Sequence, residues 1–274
     1  MKFIWLLIII CIITLSITTI VDVIVMGSYV LKLSTSCRIS QYMIDKENRI
    51  DLQNGNECSG YAAAYVLRHF GIFATGTELY QKMPFKASDG CVPPKGIKKV
   101  LESYGFCVKY CAGNLNALKN EVSKGTPIIV FIKVRKDKRW LHFIPVVGYD
   151  EHNLFLAESA SGYINCNEKT YNRKISQKEF LTLWNTAMLK MPFYARTFYI
   201  VEQRTPIKIE QGRCIFPYLD ARVYKKLTIH YNNMKYQTHL ALPYIIFKFT
   251  DFCKNGDLYE ILERKSITNV ETSL

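Results

Sequence analysis

The stretch QNGNECSGYAAAYVLRHFG occupies residues 53–71 and decides how the rest of the chain is interpreted. Its apolar residues recur at intervals of three and four, which places them on one face of a helix: Ala62, Ala63, Val66, Leu67 and Phe70. Gly71 suits the position just beyond the end of such a helix. The pattern therefore predicts a buried helix that begins at Cys58, with Gln53 a short distance ahead of it.

Cys58 would lie at the N-terminus of this helix, where unpaired N–H groups and the helix dipole favour an anion. For a cysteine that means more of the thiolate form, which is the nucleophile. The backbone N–H of Cys58 and the side-chain amide of Gln53 could together donate to a developing oxyanion. The alternative is a small buried cysteine that merely begins a core helix, and the helix alone favours this alternative.

A second stretch, WLHFIPVVGYDEHNLFLAE at residues 140–158, has two apolar runs on either side of a polar turn. This pattern predicts a β-hairpin. With the turn centred near Asp150, His142 faces Glu158, which follows it by sixteen positions. A turn centred one or two residues later would instead put a serine opposite His142, either Ser159 or Ser161. A cysteine at a helix start, a distant histidine and a carboxylate that orients it are the usual parts of an activated thiolate site.

The order of these pieces resembles the papain-like cysteine peptidases. The likeness is strongest to the bacteriocin-processing branch that acts on double-glycine leaders, cysteine-peptidase family thirty-nine, and to its stand-alone relatives. It covers about residues 50–202. Besides the helix that begins at Cys58-Ser59, the matching pieces in chain order are Gly105, Gly125–Val130, Leu141–Phe143, Val146–Asp150, Ala157–Glu158 and the run SQKEF before Trp184.

This resemblance implies that Cys58 is the nucleophile, His142 the base, Glu158 the residue that orients His142, and Gln53 an oxyanion donor. It also implies peptide or protein substrates and no metal or organic cofactor. The chain has no GxxxxGK[ST] motif, so we do not expect it to be a peptidase–transporter fusion itself. The resemblance leaves a separate transporter open as a partner. The chain departs from the family pattern at three positions: Gln53 is one position closer to Cys58 than usual, Ser59 replaces a glycine, and Glu158 replaces an aspartate.

The N-terminal run FIWLLIIICIITLSITTIV, residues 3–21, carries no charge. At about 1.5 Å per residue it matches the ~30 Å hydrocarbon core of a bilayer. It predicts an uncleaved, single-pass signal anchor. The alternative is a signal peptide cleaved near Gly27, although the apolar part of a signal peptide is normally shorter. Charges near the run do not decide its orientation, and we expect the catalytic domain on the extracytoplasmic side.

The 274 residues, 49% of them hydrophobic, suffice for one sizeable core and an appendage. We expect a transmembrane anchor or signal peptide at 1–27, a stalk at 28–49, a papain-like peptidase domain at 50–203 and a C-terminal extension of unassigned role at 204–274. In the domain, predicted helices come mostly first and strands mostly later, which favours an α+β fold. The predicted helices are 77–83, 94–104, 115–124 and 176–184, and the further strands are 106–111, 127–134 and 197–201. In the extension we expect strands at 227–231 and 241–249 and a helix at 256–264.

Other residue clusters give weaker indications. Residues 95–139 hold eleven Lys or Arg against three Asp or Glu, within a chain of net charge +13. The run lacks regularly interleaved aromatic residues, so we expect a solvated face near an anionic membrane or wall polymer and no nucleic acid. Nine cysteines leave an odd number besides the membrane run and Cys58, which argues against a complete disulfide framework. A zinc site at Cys91, Cys107 and Cys111 has no supporting CxxC or HxxxH spacing.

Two rival functions remain open on the sequence. One is a different acyl transfer at the same site, such as an amidase or transglutaminase-like reaction, since a fold does not fix the substrate. The other is a membrane-tethered binding module with an inactive site, which the spacing of Gln53 and the presence of Glu158 would suit.

Overall fold

A computed structural model of the protein describes residues 2–138 and 140–203, together with two short strands at 209–210 and 213–214. The chain divides into two units, Met1–Arg204 and Thr205–Leu274. In the second unit, β9 (Ile209–Glu210) pairs antiparallel with β10 (Arg213–Cys214). The strands and the helix that the sequence predicts at 227–231, 241–249 and 256–264 lie outside the described residues.

The first unit begins with α1 and then combines five further helices with eight strands in its described part. The helices are α1 (Lys2–Met26), α2 (Cys58–His69), α3 (Gly76–Lys82), α4 (Pro94–Ser103), α5 (Leu115–Val122) and α6 (Gln177–Trp184). The strands are β1 (Val30–Lys32), β2 (Tyr42–Met43), β3 (Phe106–Gly113), β4 (Ile128–Lys133), β5 (Leu141–Tyr149), β6 (Asn153–Leu156), β7 (Arg173–Ser176) and β8 (Thr197–Gln203). A short 3₁₀ helix spans Ser161–Tyr163.

All eight strands form one sheet in the order β1-β3-β8-β4-β5-β6-β7, with β2 paired to β5. Every pairing is antiparallel except that of β1 with β3. The predicted fold class is confirmed: an α+β arrangement with the cysteine-led helix ahead of an antiparallel sheet.

The helix ends follow the local sequence signals. Asn114 caps α5 by accepting from the N–H of Ala117, and Ser176 caps α6 by accepting from the N–H of Glu179, as the sequence predicts. Pro94 opens α4. Gly71, just beyond α2, has a φ of 84° that suits glycine.

The helix α2 is the centre of the domain rather than a one-sided surface helix. All residues from Ser59 to Leu67 are buried, because α3 and α4 cover one side and the sheet covers the other. A side chain at Gly60 would put a Cβ 2.2 Å from the carbonyl oxygen of Gly76. That close approach of α3 holds the start of α2, and therefore Cys58, firmly in place.

Residues 28–49, expected as a stalk, supply two strands to the sheet. Val30–Lys32 pairs with Cys111–Gly113, and Tyr42 and Met43 pair with Tyr149 and Gly148. The buried carboxylate of Glu121 binds Lys32 at 2.6 Å and so ties β1 to α5. Strands of two or three residues are too short to show an alternating apolar pattern. The sequence of this segment therefore indicated a linker.

The predicted hairpin forms, but its register differs from the expected one. Tyr149 faces Leu154, and a bulge at Val147 follows before Val146 faces Leu156. Ala157 donates to the carbonyl of Pro145 at 3.0 Å. Continuing this register sets Glu158 beside Ile144, so its side chain reaches His142 diagonally rather than straight across. The additional methylene of glutamate, compared with aspartate, suits this longer reach.

Candidate active site

Cys58 is the first residue of α2 and is partly exposed. Glu57 before it gives the helix no side-chain cap, so the first N–H groups of α2 stay available to an anion at the thiol. The helix packs against β5, the strand that carries His142. The fold thus brings a helix N-terminus, a thiol and an imidazole together from distant parts of the chain.

His142 lies on β5 with only 2% of its surface exposed. Its Nε2 is 2.7 Å from Oε1 of Glu158, and the sulfur of Cys58 lies near enough to the same ring to help raise the pKa of His142. Because Nε2 faces the carboxylate, Nδ1 is the nitrogen that faces the sulfur. The imidazole therefore bridges a thiol and a carboxylate, as a general base requires.

Glu158 is fully buried, and four groups hold its carboxylate and backbone. Oε1 accepts from the backbone N–H of Ala160 at 2.8 Å in addition to its contact with His142. Oε2 accepts from Nη1 of Arg173 at 2.8 Å. The side chain of Asn172 binds both the N–H and the carbonyl of Glu158, at 2.6 and 2.8 Å. The carboxylate is thereby fixed in one orientation.

Arg173 and Asn172 are part of this cluster, and sequence reasoning missed both. Arg173 begins β7 and is 6% exposed, whereas Lys174 beside it is exposed. Arg173 shares its buried face of the strand with Ile175. That alternation was the available signal, but a four-residue strand following an irregular loop gives too short a pattern to identify.

The charges of the cluster alternate and shift one another's ionisation. Burial opposes protonation of His142, but the nearby carboxylate of Glu158 and the sulfur of Cys58 outweigh it and raise the pKa of His142 to about 10. Burial likewise opposes ionisation of Glu158, yet His142, the Ala160 N–H and Arg173 lower the pKa of Glu158 to about 2. Imidazolium and carboxylate are therefore both charged across neutral pH.

Gln53 lies beside the cluster and links it to the loop before α2. Its Nε2 donates to the carbonyl of Gly55 at 2.6 Å, and its Oε1 accepts from the hydroxyl of Ser159 at 2.7 Å. Its backbone N–H also donates to the Ser159 carbonyl at 2.8 Å. An amide nitrogen carries two hydrogens, so one N–H of the fixed Gln53 side chain remains for another acceptor.

The other described histidines lie apart from this cluster. His69 ends α2, at the far end of the helix from Cys58, and His152 lies in the exposed hairpin turn. The seven cysteines of the first unit are free thiols. Among the described residues, no group of three His, Cys, Asp or Glu could hold a metal ion. His230 and His239 fall outside the described part.

Comparison with known proteins identifies the family. Residues 46–192, more than half of the chain, match the model of the peptidase C39 family. The chain belongs to this family. No curated protein matches it in sequence.

Three solved structures that resemble this C39 peptidase are distant. The peptidase domain of Streptococcus ComA, a bifunctional ABC transporter of a quorum-sensing pathway, is 15% identical and has a TM-score of 0.45; the match covers 58% of this chain and 100% of that one. A double-glycine-motif protease from an AMS/PCAT transporter is 17% identical, at 60% and 99% coverage and a TM-score of 0.42. A C39-like peptidase from Bacillus anthracis is 11% identical, at 61% and 99% coverage and a TM-score of 0.46.

Family membership makes this protein a cysteine peptidase, as the sequence resemblance implied. The Cys58-led helix, the His142 strand and Glu158 all fall within the matched residues, whereas α1 and residues after 192 fall outside them.

Proposed function

We propose that this protein is a membrane-anchored C39 peptidase that hydrolyses peptide bonds with Cys58 as nucleophile and His142 as base. Glu158 orients and charges His142, and Gln53 helps to bind the oxyanion. One observation carries the proposal: direct contacts join Arg173 to Glu158 and Glu158 to His142, and the partly exposed Cys58 lies close enough to His142 to help raise its pKa.

In the first step the thiolate of Cys58 attacks the carbonyl carbon of the scissile peptide. The carbonyl oxygen becomes negative and accepts from the first N–H groups of α2 and from the remaining N–H of Gln53. As the carbon–nitrogen bond breaks, the imidazolium of His142 gives its Nδ1 proton to the leaving amine. The products are the free amine and a thioester on Cys58.

In the second step water attacks the thioester, and neutral His142 takes one proton from that water. The carbon–sulfur bond breaks, the carboxylic acid product leaves, and the thiolate and the imidazolium are restored. Glu158 stays ionised in both steps, because Arg173 and the Ala160 N–H hold its negative charge when His142 is neutral.

A cleft of about 530 Å³ supports a polypeptide substrate. It lies between residues 47–52 and residues 164–172, and none of the three proposed catalytic groups Cys58, His142 and Glu158 lines it. Leu52 next to Gln53, and Asn172 next to Arg173, connect the cleft to the site. A segment of substrate away from the scissile bond would bind here, which a long chain can do and a small amide cannot.

The N-terminal helix supports the anchor in this proposal. The helix from Ile4 to Met26 is long and apolar enough to cross a membrane, although a signal sequence can share these properties. Its last turn also packs on the domain, since Nζ of Lys95 donates to the carbonyl of Ile24 at 2.5 Å. Removal of α1 would strip that contact, which favours an anchor over a cleaved signal.

The side of the membrane and the partner belong to the same proposal. A signal-type run at the N-terminus commonly exports the segment after it, so we assign the catalytic domain to the extracytoplasmic side. Labelling of intact cells with a membrane-impermeant maleimide tests this assignment through Cys91, which is exposed. A partner transporter remains a prediction, to be tested by co-purification from detergent extracts.

The site itself is tested by iodoacetamide labelling at mildly acidic pH, with each alkylated cysteine identified by mass spectrometry. In the wild type we expect Cys58 to react far faster than the other thiols, because it lies at a helix N-terminus beside the imidazole of His142, its general base. His142→Ala should slow Cys58 to the rate of ordinary thiols.

His69→Ala is the matched control, because it removes a histidine from the other end of the same helix and should leave the labelling of Cys58 unchanged. Equal labelling rates for all thiols in the wild type, or a Cys58 rate that does not respond to His142→Ala, would favour the inactive binding module instead.

A further inference from the structure

The domain is not held away from α1 by a spacer. Residues 4–21 span about 27 Å at about 1.5 Å per residue, which nearly equals the thickness of a hydrocarbon core. Directly after them, Asp22 and Met26 are 3% and 9% exposed, because the domain covers that side of the last turn.

The opposite side of the same turn is uncovered and apolar. Val23, Ile24 and Val25 are 45%, 64% and 48% exposed. If α1 spans the bilayer, these three residues require an apolar or interfacial environment. The domain surface that touches Asp22 and Met26 lies at the same height along the helix. It therefore lies at the level of the bilayer interface.

Hydrogen bonds to the end of α1, and to residues 27–29 directly after it, fix that surface in place. Nζ of Lys95 donates to the carbonyl of Ile24 at 2.5 Å. The hydroxyl of Tyr194 shares its one hydrogen between the carbonyls of Gly27 and, at 3.2 Å, Asp22. The hydroxyl of Tyr29 donates to the carbonyl of Phe193 at 2.8 Å.

We define the basal face as the exposed residues that lie next to these contacts in the chain, together with those grouped around the Phe85 ring: Phe85, Lys95, Lys99, Leu189, Lys190 and Phe193. Leu189 is 96% exposed and stands with Lys190 at the tip of a tight turn between Met188 and Met191. Phe193 is 41% exposed. A leucine with nearly all its surface in water costs free energy that burial would recover.

Phe85 adds an aromatic ring to the basal face. It is 48% exposed, and its φ of 64° is a backbone conformation that a bulky residue rarely adopts. The ammonium groups of Lys95 and Lys99 lie 4.3 and 5.7 Å from its ring centroid. Aromatic rings and lysines together at the end of an apolar helix are typical of the membrane–water interface.

We propose that the basal face rests on the bilayer, with Leu189, Phe85 and Phe193 in the interfacial layer and the lysines against anionic headgroups. The proposal rests on the anchor role given to α1 in the proposed function. Its consequence is that the peptidase domain is held in one orientation at the surface, rather than turning freely at the end of a tether.

The test uses the full chain in lipid nanodiscs that contain anionic lipid, with or without acyl-chain-brominated lipid, which quenches nearby tryptophan. The difference between the wild type and Trp5→Phe reports on α1 through Trp5, since Trp140 and Trp184 are present in both. The variant Trp5→Phe/Leu189→Trp reports on the basal face, with Trp5→Phe as its background. Trp5→Phe/Phe73→Trp is the matched control, since Phe73 is 80% exposed and outside the basal face.

We expect brominated lipid to quench the fluorescence of Trp5 and of the indole introduced at Leu189, and not that of the indole at Phe73. Quenching of Trp5 with none at Leu189 would overturn the basal-face proposal and leave the anchor standing, with a protein partner as the alternative occupant. Quenching at neither position would overturn both proposals.

Discussion

The two halves of the proposed active site stand in opposite surroundings. His142, Glu158 and Arg173 are 2%, 0% and 6% exposed and are held by hydrogen bonds on several sides. Cys58 and Gln53 remain partly exposed at the start of α2 and in the loop before it. We call the first group the sealed half, because it sets the charge and orientation of His142. We call the second group the open half, because it contacts the substrate.

This difference teaches how a charged cluster can be both buried and reactive. Buried charges are costly unless each has an opposite partner. With a thiolate at Cys58, the cluster holds two anions and two cations in alternation, so its net charge is zero. Substitutions in the sealed half should therefore change stability and pH dependence, whereas those in the open half should change activity alone.

The strongest test of the comparison is Cys58→Ala. Turnover should fall at least about 10⁴-fold, because the covalent step is lost, while the melting temperature stays close to that of the wild type. Cys58→Ser should be nearly as inactive, since a hydroxyl is much harder to deprotonate. Cys91→Ala, which removes an exposed thiol, should retain full activity. Appreciable turnover by Cys58→Ala would exclude Cys58 as the nucleophile.

The next largest effect is expected from Glu158→Gln. It removes the carboxylate that raises the pKa of His142, so kcat should fall by about 10²- to 10⁴-fold while some activity persists. The alkaline limb of the pH–kcat profile, near pH 10 in the wild type because His142 must carry a proton, should move to lower pH. An unmoved limb would show that Glu158 does not control the ionisation of His142.

The free energy of unfolding should depend on pH through the same two groups, Glu158 and His142, and the two should act in opposite pH directions. The pKa of Glu158 is lowered by folding, so its contribution is present above about pH 4.5 and is lost as pH falls towards 2. The pKa of His142 is raised, so its contribution is present below about pH 6.5 and is lost as pH rises towards 10. Urea unfolding of the wild type and of Glu158→Gln across this pH range measures the contributions of both groups to the free energy of unfolding.

The open half of the site could be predicted from the sequence to a greater extent than the sealed half. Cys58 and Gln53 belong to one continuous stretch with a clear helical period, and local sequence defines a helix start well. The proximity of His142 and Glu158 was predicted from a hairpin. The hairpin could be predicted from the sequence, but its register could not. The bulge at Val147 shifts the pairing. Gly148 inside the strand is its sequence signal, but a single glycine does not define where a bulge forms.

The roles of Arg173 and Asn172 could not be predicted from local sequence. They reach Glu158 because β7 pairs with β6, setting Arg173 opposite Leu156. That pairing follows a long irregular loop and involves only four residues, so it is specified by tertiary packing rather than by a pattern in the chain. A buried arginine is rare without a partner, and its partner can be identified only once the strands are assembled.

The third prediction concerns this arginine. Arg173→Met leaves the buried carboxylate of Glu158 with one cationic partner fewer, which should cost about 3–5 kcal/mol of unfolding free energy. The pKa of Glu158 should rise, so the acid limb of the activity profile should move to higher pH.

Arg173→Lys keeps the charge without the planar fork and is the matched control. Arg173→Lys should return the acid limb to its wild-type pH and recover part of the unfolding free energy lost in Arg173→Met. If both variants shift the limb equally, or neither does, then Arg173 acts through packing and not through the charge of Glu158.

The smallest effect is expected at the edge of the open half, where Ile164 lines the cleft and is 37% exposed. Ile164→Glu removes an apolar contact with a bound polypeptide, worth about 1 kcal/mol, so KM should rise about fivefold and kcat should not change. A peptide too short to reach the cleft should be cleaved equally by both proteins. Phe73→Glu, a charge added at an exposed apolar residue outside the cleft, should leave KM unaltered for both substrates.

Because the cleft touches the sealed half only through Asn172, the pH profile of Ile164→Glu should overlay that of the wild type. A shifted profile would mean that the two halves are coupled more tightly than their contrasting burial suggests.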